Sequence, residues 1–98
     1  MAAYFMASYR ITDRKGYEPY VPAVIPTLMA HNCEVLAADY ASQPIEGEPN
    51  AVTVILKFAS KEAAMAWYNS AEYQAVKHHR IDNSEGAAVV VDQWTPPS

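Results

Sequence analysis

A chain of 98 residues with 51% hydrophobic and 18% charged residues suits one domain with one core (1–98) and excludes a disordered chain. The net charge is −4, with 7 Lys and Arg against 11 Asp and Glu and no basic cluster, so nucleic acid is not an expected partner. No apolar run reaches the length of a membrane span, "MAAYFMASYR" lacks the pattern of a signal peptide, and the lone Cys33 cannot form an internal disulfide, which together predict a cytoplasmic protein without a membrane partner.

The first element is a strand. "AAYFMASYRI" (2–11) is rich in aromatics and places Phe5, Ala7, Tyr9 and Ile11 on one side, Tyr4 and Met6 on the other. Thr12 and Asp13 form a turn and a candidate helix cap. Segment 16–32 carries Tyr20, Val24, Leu28 and Val21, Ile25, Met29 at helical spacing, interrupted by Pro19, Pro22 and Pro26. Pro19 fits a first turn, whereas Pro26 in the interior predicts a kinked or split helix, stopped near Asn32.

"CEVLAADY" (33–40) is the second strand and "ASQPIEGEPN" (41–50) a loop. "AVTVILKFA" (51–59) is the third strand, dense in β-branched residues. Ser60 caps a helix over 61–68, Asn69 breaks it, and Ser70 caps a second piece over 71–82. "NSEG" reads as a turn into a last strand over 87–94. The order βαββαβ predicts an α+β fold of the ferredoxin-like kind, a four-stranded antiparallel sheet with helices on one face. Both strand faces are apolar: Val52, Val54, Leu56 and Phe58 oppose Ala51 and Ile55, and Val89 and Val91 oppose Ala88, Val90 and Trp94. Two helices cover one face, so a homodimer packed sheet to sheet is expected; scattered exposed apolar residues are the alternative.

"AYFMASYRITD", "FASKEAAMAWYNSAEYQAVKHHR" and "VVVDQW" resemble the domain-of-unknown-function 1330 family of the dimeric α+β barrel superfamily over nearly the whole chain. The family signature is a strand ending in Glu-Phe, then Ser-x-Glu-Ala-x-x-x-Trp-Tyr-x-Ser-Pro-Glu-Tyr-Gln and an Arg several residues on. Phe58, Ser60, Glu62, Ala63, Trp67, Tyr68, Ser70, Glu72, Tyr73, Gln74 and Arg80 match it. Lys57 stands in place of Glu, Ala71 in place of Pro, Asn32 and Cys33 in place of Gly-Gly, and His78 and His79 in place of small or apolar residues. The resemblance implies the barrel fold and the dimer; the family has no settled activity.

The stretch Ala66 to Arg80 gathers the chemistry-bearing side chains. At about 100° per residue, Tyr73, Val76, Lys77 and Arg80 share a helical stripe, His79 lies at its edge, and His78 points away with Gln74. Adjacent histidines on a helix diverge too far to share a metal ion, and no metal is expected. Trp67 reads as core or as a ligand contact, and Tyr73 as a core ring whose hydroxyl seeks Arg80. Arg80 reads either as a salt bridge to a carboxylate such as Asp39 or Glu46, or as a clamp for an anion or carbonyl. His79 is the candidate catalytic residue: beside Tyr9, Tyr20 and Tyr73 it could move a proton near neutral pH, and otherwise it is a flank histidine. Cys33 follows a helix rather than opening one, so it reads as inert and buried.

By analogy with related dimeric barrels, the resemblance implies an enzyme of the monooxygenase, isomerase or cyclase kind. It would act without a bound cofactor on a small apolar or aromatic carbonyl compound held by Tyr9, Tyr20, Trp67, Tyr73 and Arg80. The alternative is a non-catalytic dimer binding a metabolite or a protein. Haem is disfavoured: the residue ten after Trp67 is Lys77, and the first strand has no Asn.

Overall fold

The computed structural model describes residues 1–97. Its strands are β1 (Ala3–Ile11), β2 (Glu34–Asp39), β3 (Val52–Phe58) and β4 (Ser84–Asp92), in the sheet order β2-β3-β1-β4 with every pairing antiparallel. Helices α1 (Arg14–Tyr17) and α2 (Tyr20–Ala30) join β1 to β2, and α3 (Lys61–Tyr68), α4 (Ala71–Val76) and α5 (His78–Ile81) join β3 to β4. The α+β class and the four-stranded antiparallel sheet are those expected, but each helical connection is broken into shorter pieces.

Strand periodicity sorts the side chains. In β1, Ala3, Phe5, Ala7 and Tyr9 are buried whereas Met6, Ser8 and Arg10 are exposed. Register carries this across the sheet, because Phe5 faces Leu56, Tyr9 faces Val52 and Ala3 faces Phe58. The helices all lie on this inner side, and Trp67 of α3 fills the space above the central strands. Trp67 is fully buried, edge-on to Phe5 at 5.3 Å between ring centroids and 4.1 Å from Tyr73.

The helix ends follow from local chemistry. The Asp13 carboxylate accepts from the Gly16 N–H, Ser60 Oγ from the Ala63 N–H, and Ser70 Oγ from the Tyr73 N–H. The expected single kinked helix over 16–32 is instead two helices. The chain breaks at Glu18 and Pro19, so that Pro19 precedes α2 and Pro22 falls in its first turn, where no donor is required. Pro26 lies inside α2 on its exposed side without dividing it. Asn32 adopts a left-handed φ of 55°, and the Cys33 N–H bonds the Leu28 carbonyl at 3.0 Å, closing the helix end.

"NSEG" is not a turn. β4 begins at Ser84, three positions before the expected start, and Gly86 pairs with Tyr9. The turn falls earlier, where the Asn83 carbonyl accepts from Thr12 at 2.9 Å and the Asn83 side chain donates to the His79 carbonyl at 3.0 Å. A glycine is required at 86, since a Cβ there would stand 2.5 Å from the Tyr9 Cα.

The core holds one polar thread. The Trp67 indole N–H donates to Thr27 Oγ1 at 3.0 Å, and that hydroxyl donates to the Val24 carbonyl at 2.7 Å. Replacing Thr27 by Val keeps the shape but leaves a buried donor without an acceptor, which costs about 1–3 kcal/mol. Thermal denaturation of Thr27→Val therefore shows a lower melting temperature, with Thr27→Ser closer to the parent. A Thr27→Val protein as stable as the parent contradicts this account of the core.

Candidate functional site

Between α2 and the inner face of the sheet lies a cavity of about 170 Å³. Its walls are almost wholly apolar, with Val24, Leu28, Phe5, Ala7, Val54 and Leu56 among them. Val21, Ile25 and Val35 line it and are also exposed, which places the mouth between α2 and β2. α2 can stand off the sheet here because the inner face carries small Ala7 and Ala38 beneath it, while the aromatic bulk is stacked further along, under α3.

Two chains of hydroxyl groups bound this space. In one, Tyr9 bonds Tyr17 at 2.6 Å and Tyr17 bonds Tyr40 at 3.0 Å between hydroxyl oxygens. In the other, Tyr20 bonds Tyr73 at 2.8 Å, and Arg80 donates to the Tyr73 oxygen from Nε at 3.4 Å and Nη2 at 3.2 Å. Tyr9, Tyr17, Tyr20 and Tyr40 all line the cavity.

Donor counting gives the second chain a direction. Arg80 has no acceptor capacity, so it can only donate to Tyr73. With both its lone pairs engaged, Tyr73 gives its own hydrogen to Tyr20. The Tyr20 hydrogen then has no acceptor among the described residues, and the Tyr20 side chain is part of the cavity lining. A positive charge two bonds away polarises that hydroxyl and makes it a stronger donor than an isolated phenol. The first chain spends two of its three hydroxyl hydrogens internally and leaves one unspent, and half-exposed Tyr40 at the mouth is the member that solvent or a ligand can reach.

Arg80 itself is unusual. It is 7% exposed, yet the ion pairs among the described residues are Arg10–Glu85, His31–Glu72 and Lys61–Asp92. The expected partners do not reach it: the Asp39 carboxylate accepts from the Ala41 N–H, and Glu46 sits in the exposed loop. Tyrosine supplies the compensation instead, through the Tyr73 oxygen and through the ring faces of Tyr9 and Tyr20, whose centroids lie 5.8 and 6.0 Å from the guanidinium carbon. Burial works against the charge, but Tyr73 and Tyr20 outweigh it and hold the guanidinium pKa above its ordinary value.

The sequence-selected residues thus separate into groups. Tyr9, Tyr20, Tyr73 and Arg80 come together. Trp67 packs in the core behind them, with its N–H spent on Thr27. His79 is half-buried and does not line the tyrosine cavity. The two histidine rings do not diverge but lie 4.0 Å apart between centroids, tilted at 39° to each other. Cys33 is half-buried, and burial pushes its thiol up to about 11. Tyr17 and Tyr40 were not among the expected residues. The pattern "GYEPY" carried a signal for Tyr17, one turn ahead of a residue already selected.

One antiparallel sheet with helices on its inner face and a tyrosine-walled apolar cavity between them defines a small single-sheet α+β protein. Residues 2–94 match the model of a domain of unknown function, DUF1330, and the chain belongs to that family. The fold is similar to that of the RPA0582 protein of unknown function from Rhodopseudomonas palustris, with a TM-score of 0.77 at 12% identity, covering 97% of this chain and 84% of that one. A structure of the methylated RPA0582 protein matches with the same score and identity over 99% of this chain and 84% of that one. No curated protein matches.

The buried hydroxyls make stability pH-dependent. Burial raises the pKa of Tyr9, Tyr17 and Tyr20, with hydrogen bonding to Tyr40 and Tyr9 adding to it for Tyr17 and the neighbouring Tyr73 adding to it for Tyr20. A raised folded-state pKa means that the unfolded chain loses these protons first, near pH 10. The contribution is fully present below that pH and is lost above it, with Cys33 beginning the loss at its ordinary value of 9.0. The melting temperature is accordingly level with respect to these groups up to about pH 9 and falls steeply beyond pH 10. Tyrosines that all titrate at their ordinary value, with no accompanying loss of stability, contradict the hydroxyl chains.

Proposed function

We propose that this protein binds a small, mostly apolar or aromatic carbonyl compound in the cavity beneath α2. The observation that carries this reading is the unspent hydroxyl of Tyr20, oriented and polarised by Arg80 through Tyr73 at the wall of an otherwise apolar space. An apolar body replaces surface exposed to water, and one carbonyl oxygen accepts the one available hydrogen, which is how apolar pockets gain selectivity from few polar groups. Catalysis of the isomerase, cyclase or monooxygenase kind in the same cavity would need a base. The residues lining the cavity include no carboxylate, imidazole or amine, so binding is the reading the geometry favours.

The test compares acetophenone with ethylbenzene, which has nearly the same shape but no acceptor, by chemical-shift titration of the cavity methyl groups. Acetophenone binds the parent more tightly by about tenfold, the worth of one well-placed hydrogen bond. Tyr20→Phe removes that preference while retaining ethylbenzene binding. Equal affinities for the two probes in the parent sink the proposal.

We also propose that the protein is a homodimer packed through the outer sheet face, in a reducing compartment that suits the unpaired Cys33. The support is the composition of that face. Met6 lies opposite both Ile55 and Val89, and Tyr4 opposite Val91, so one apolar strip crosses three strands. Met6, Val89 and Val91 are 37%, 54% and 37% exposed in the single chain. Charged pairs fringe it, with Arg10 bonded to Glu85 at one end. Such a dimer leaves the cavity, on the other face, accessible. Sedimentation at micromolar concentration gives about twice the chain mass of 10.8 kDa, and Val89→Glu shifts it to the monomer. A parent protein that sediments as a monomer refutes this arrangement.

A further inference from the structure

The guanidinium of Arg80 touches a second space. On the far side of Tyr9 from the tyrosine cavity, a cleft of about 250 Å³ between α5 and β4 is lined by Tyr68, Arg80, Ile81, Ser84 and the small residues Gly86 to Ala88. Tyr9 is the wall common to both spaces.

Arg80 carries five N–H donors, and the hydrogen bonds it makes to side chains use Nε and Nη2, both on Tyr73. Nη1 has no such bond. Among the described residues, every fully buried side-chain nitrogen or oxygen has a hydrogen-bond partner, so Nη1 is not sealed in the core, and the cleft is the space that Arg80 lines. The charge is 7% exposed and compensated by tyrosines alone, so it retains capacity for an anionic partner, the pairing that buried charges most often have.

We propose that this cleft is an anion site for a small monocarboxylate, which pairs with Arg80 and lays its apolar body against Tyr68, Ile81 and Ala88. The charge balance selects a monoanion: one cation faces the cleft, Asp82 and Glu85 flank it in sequence, and the chain as a whole carries −4. A phosphate dianion finds no second cation among the lining residues, Lys77 being placed over the Tyr68 ring instead. The planar guanidinium matches a carboxylate in shape and charge. The cleft is a separate space from the tyrosine cavity, although Arg80 serves both readings; Ala88 lines the cleft and not the cavity and so tells them apart.

The experiment follows the Arg80 Nε–Hε signal of the full-length, nitrogen-labelled protein during titration with benzoate, its neutral isostere benzamide, and inorganic phosphate. Benzoate shifts the signal and saturates at millimolar concentration, whereas benzamide and phosphate do not. Arg80→Met abolishes the benzoate response of neighbouring amides. Ala88→Leu, an exposed inner-face position that fills the cleft and leaves Arg80 intact, weakens benzoate by about tenfold or more and leaves acetophenone binding unchanged; it decides the matter should Arg80→Met fail to fold. A benzoate titration that leaves Arg80 unmoved, a benzamide response equal to that of benzoate, or benzoate binding unimpaired in Ala88→Leu overturns the proposal. A phosphate response stronger than the benzoate one overturns the choice of a carboxylate.

Discussion

The contact between Arg80 and the Tyr73 hydroxyl constrains most of what surrounds it. A guanidinium buried without a carboxylate must be compensated by neutral groups, and in this fold the compensation comes from tyrosines on three different elements. Tyr9 rises from β1, Tyr20 from the start of α2 and Tyr73 from α4. Each has its ring in the apolar layer and its hydroxyl in a hydrogen-bonded chain, which lets the layer between helices and sheet be aromatic and still hold polar atoms. Because Arg80 can only donate, the bonds beyond it run in one direction, and the residue at the end, Tyr20, is a donor that lines an apolar cavity. A structural necessity, compensating one charge, thereby produces the feature on which the proposed carbonyl binding rests.

The two faces of the sheet divide the work. The inner face supports the core under Trp67 and the cavity under α2, and the difference between them is the size of the side chains on neighbouring positions. Phe5 and Phe58 meet Trp67 at 5.3 and 5.5 Å between centroids, whereas Ala7 and Ala38 leave room beneath α2. The outer face carries an apolar strip with charged ends, which suits association and plays no part in the pocket chemistry.

Much of this architecture was legible in the residues. The alternation in β1, the Ser60 and Ser70 caps and the pairing of Tyr73 with Arg80 follow from local rules of period and spacing. What was not legible depends on long-range contact. Tyr17 and Tyr40 are 23 positions apart and meet only because β2 runs antiparallel at the edge of the sheet. The early start of β4 depends on Gly86 lying against Tyr9 across the sheet. The helical wheel placed Tyr73 and Arg80 on a buried stripe with His79 at its edge and His78 outside, and their burial follows that order, but the two histidine rings lie close together rather than diverging. An expected carboxylate partner for Arg80 was a reasonable inference from charge alone. It failed because tyrosine oxygens and rings reach the guanidinium where Asp39 and Glu46 do not.

Everything attributed to the site requires that the space beneath α2 be an apolar cavity rather than a water-filled cleft or a packed seam. Diffraction from a crystal under xenon tests this directly, since xenon enters dry apolar cavities and has no affinity for polar, hydrated ones. The account predicts a xenon atom among Val24, Leu28, Val54 and Leu56, with no ordered water in its place in the gas-free crystal. Ordered waters bonded to one another in that space, or side chains closed over it with no xenon inside, would contradict it.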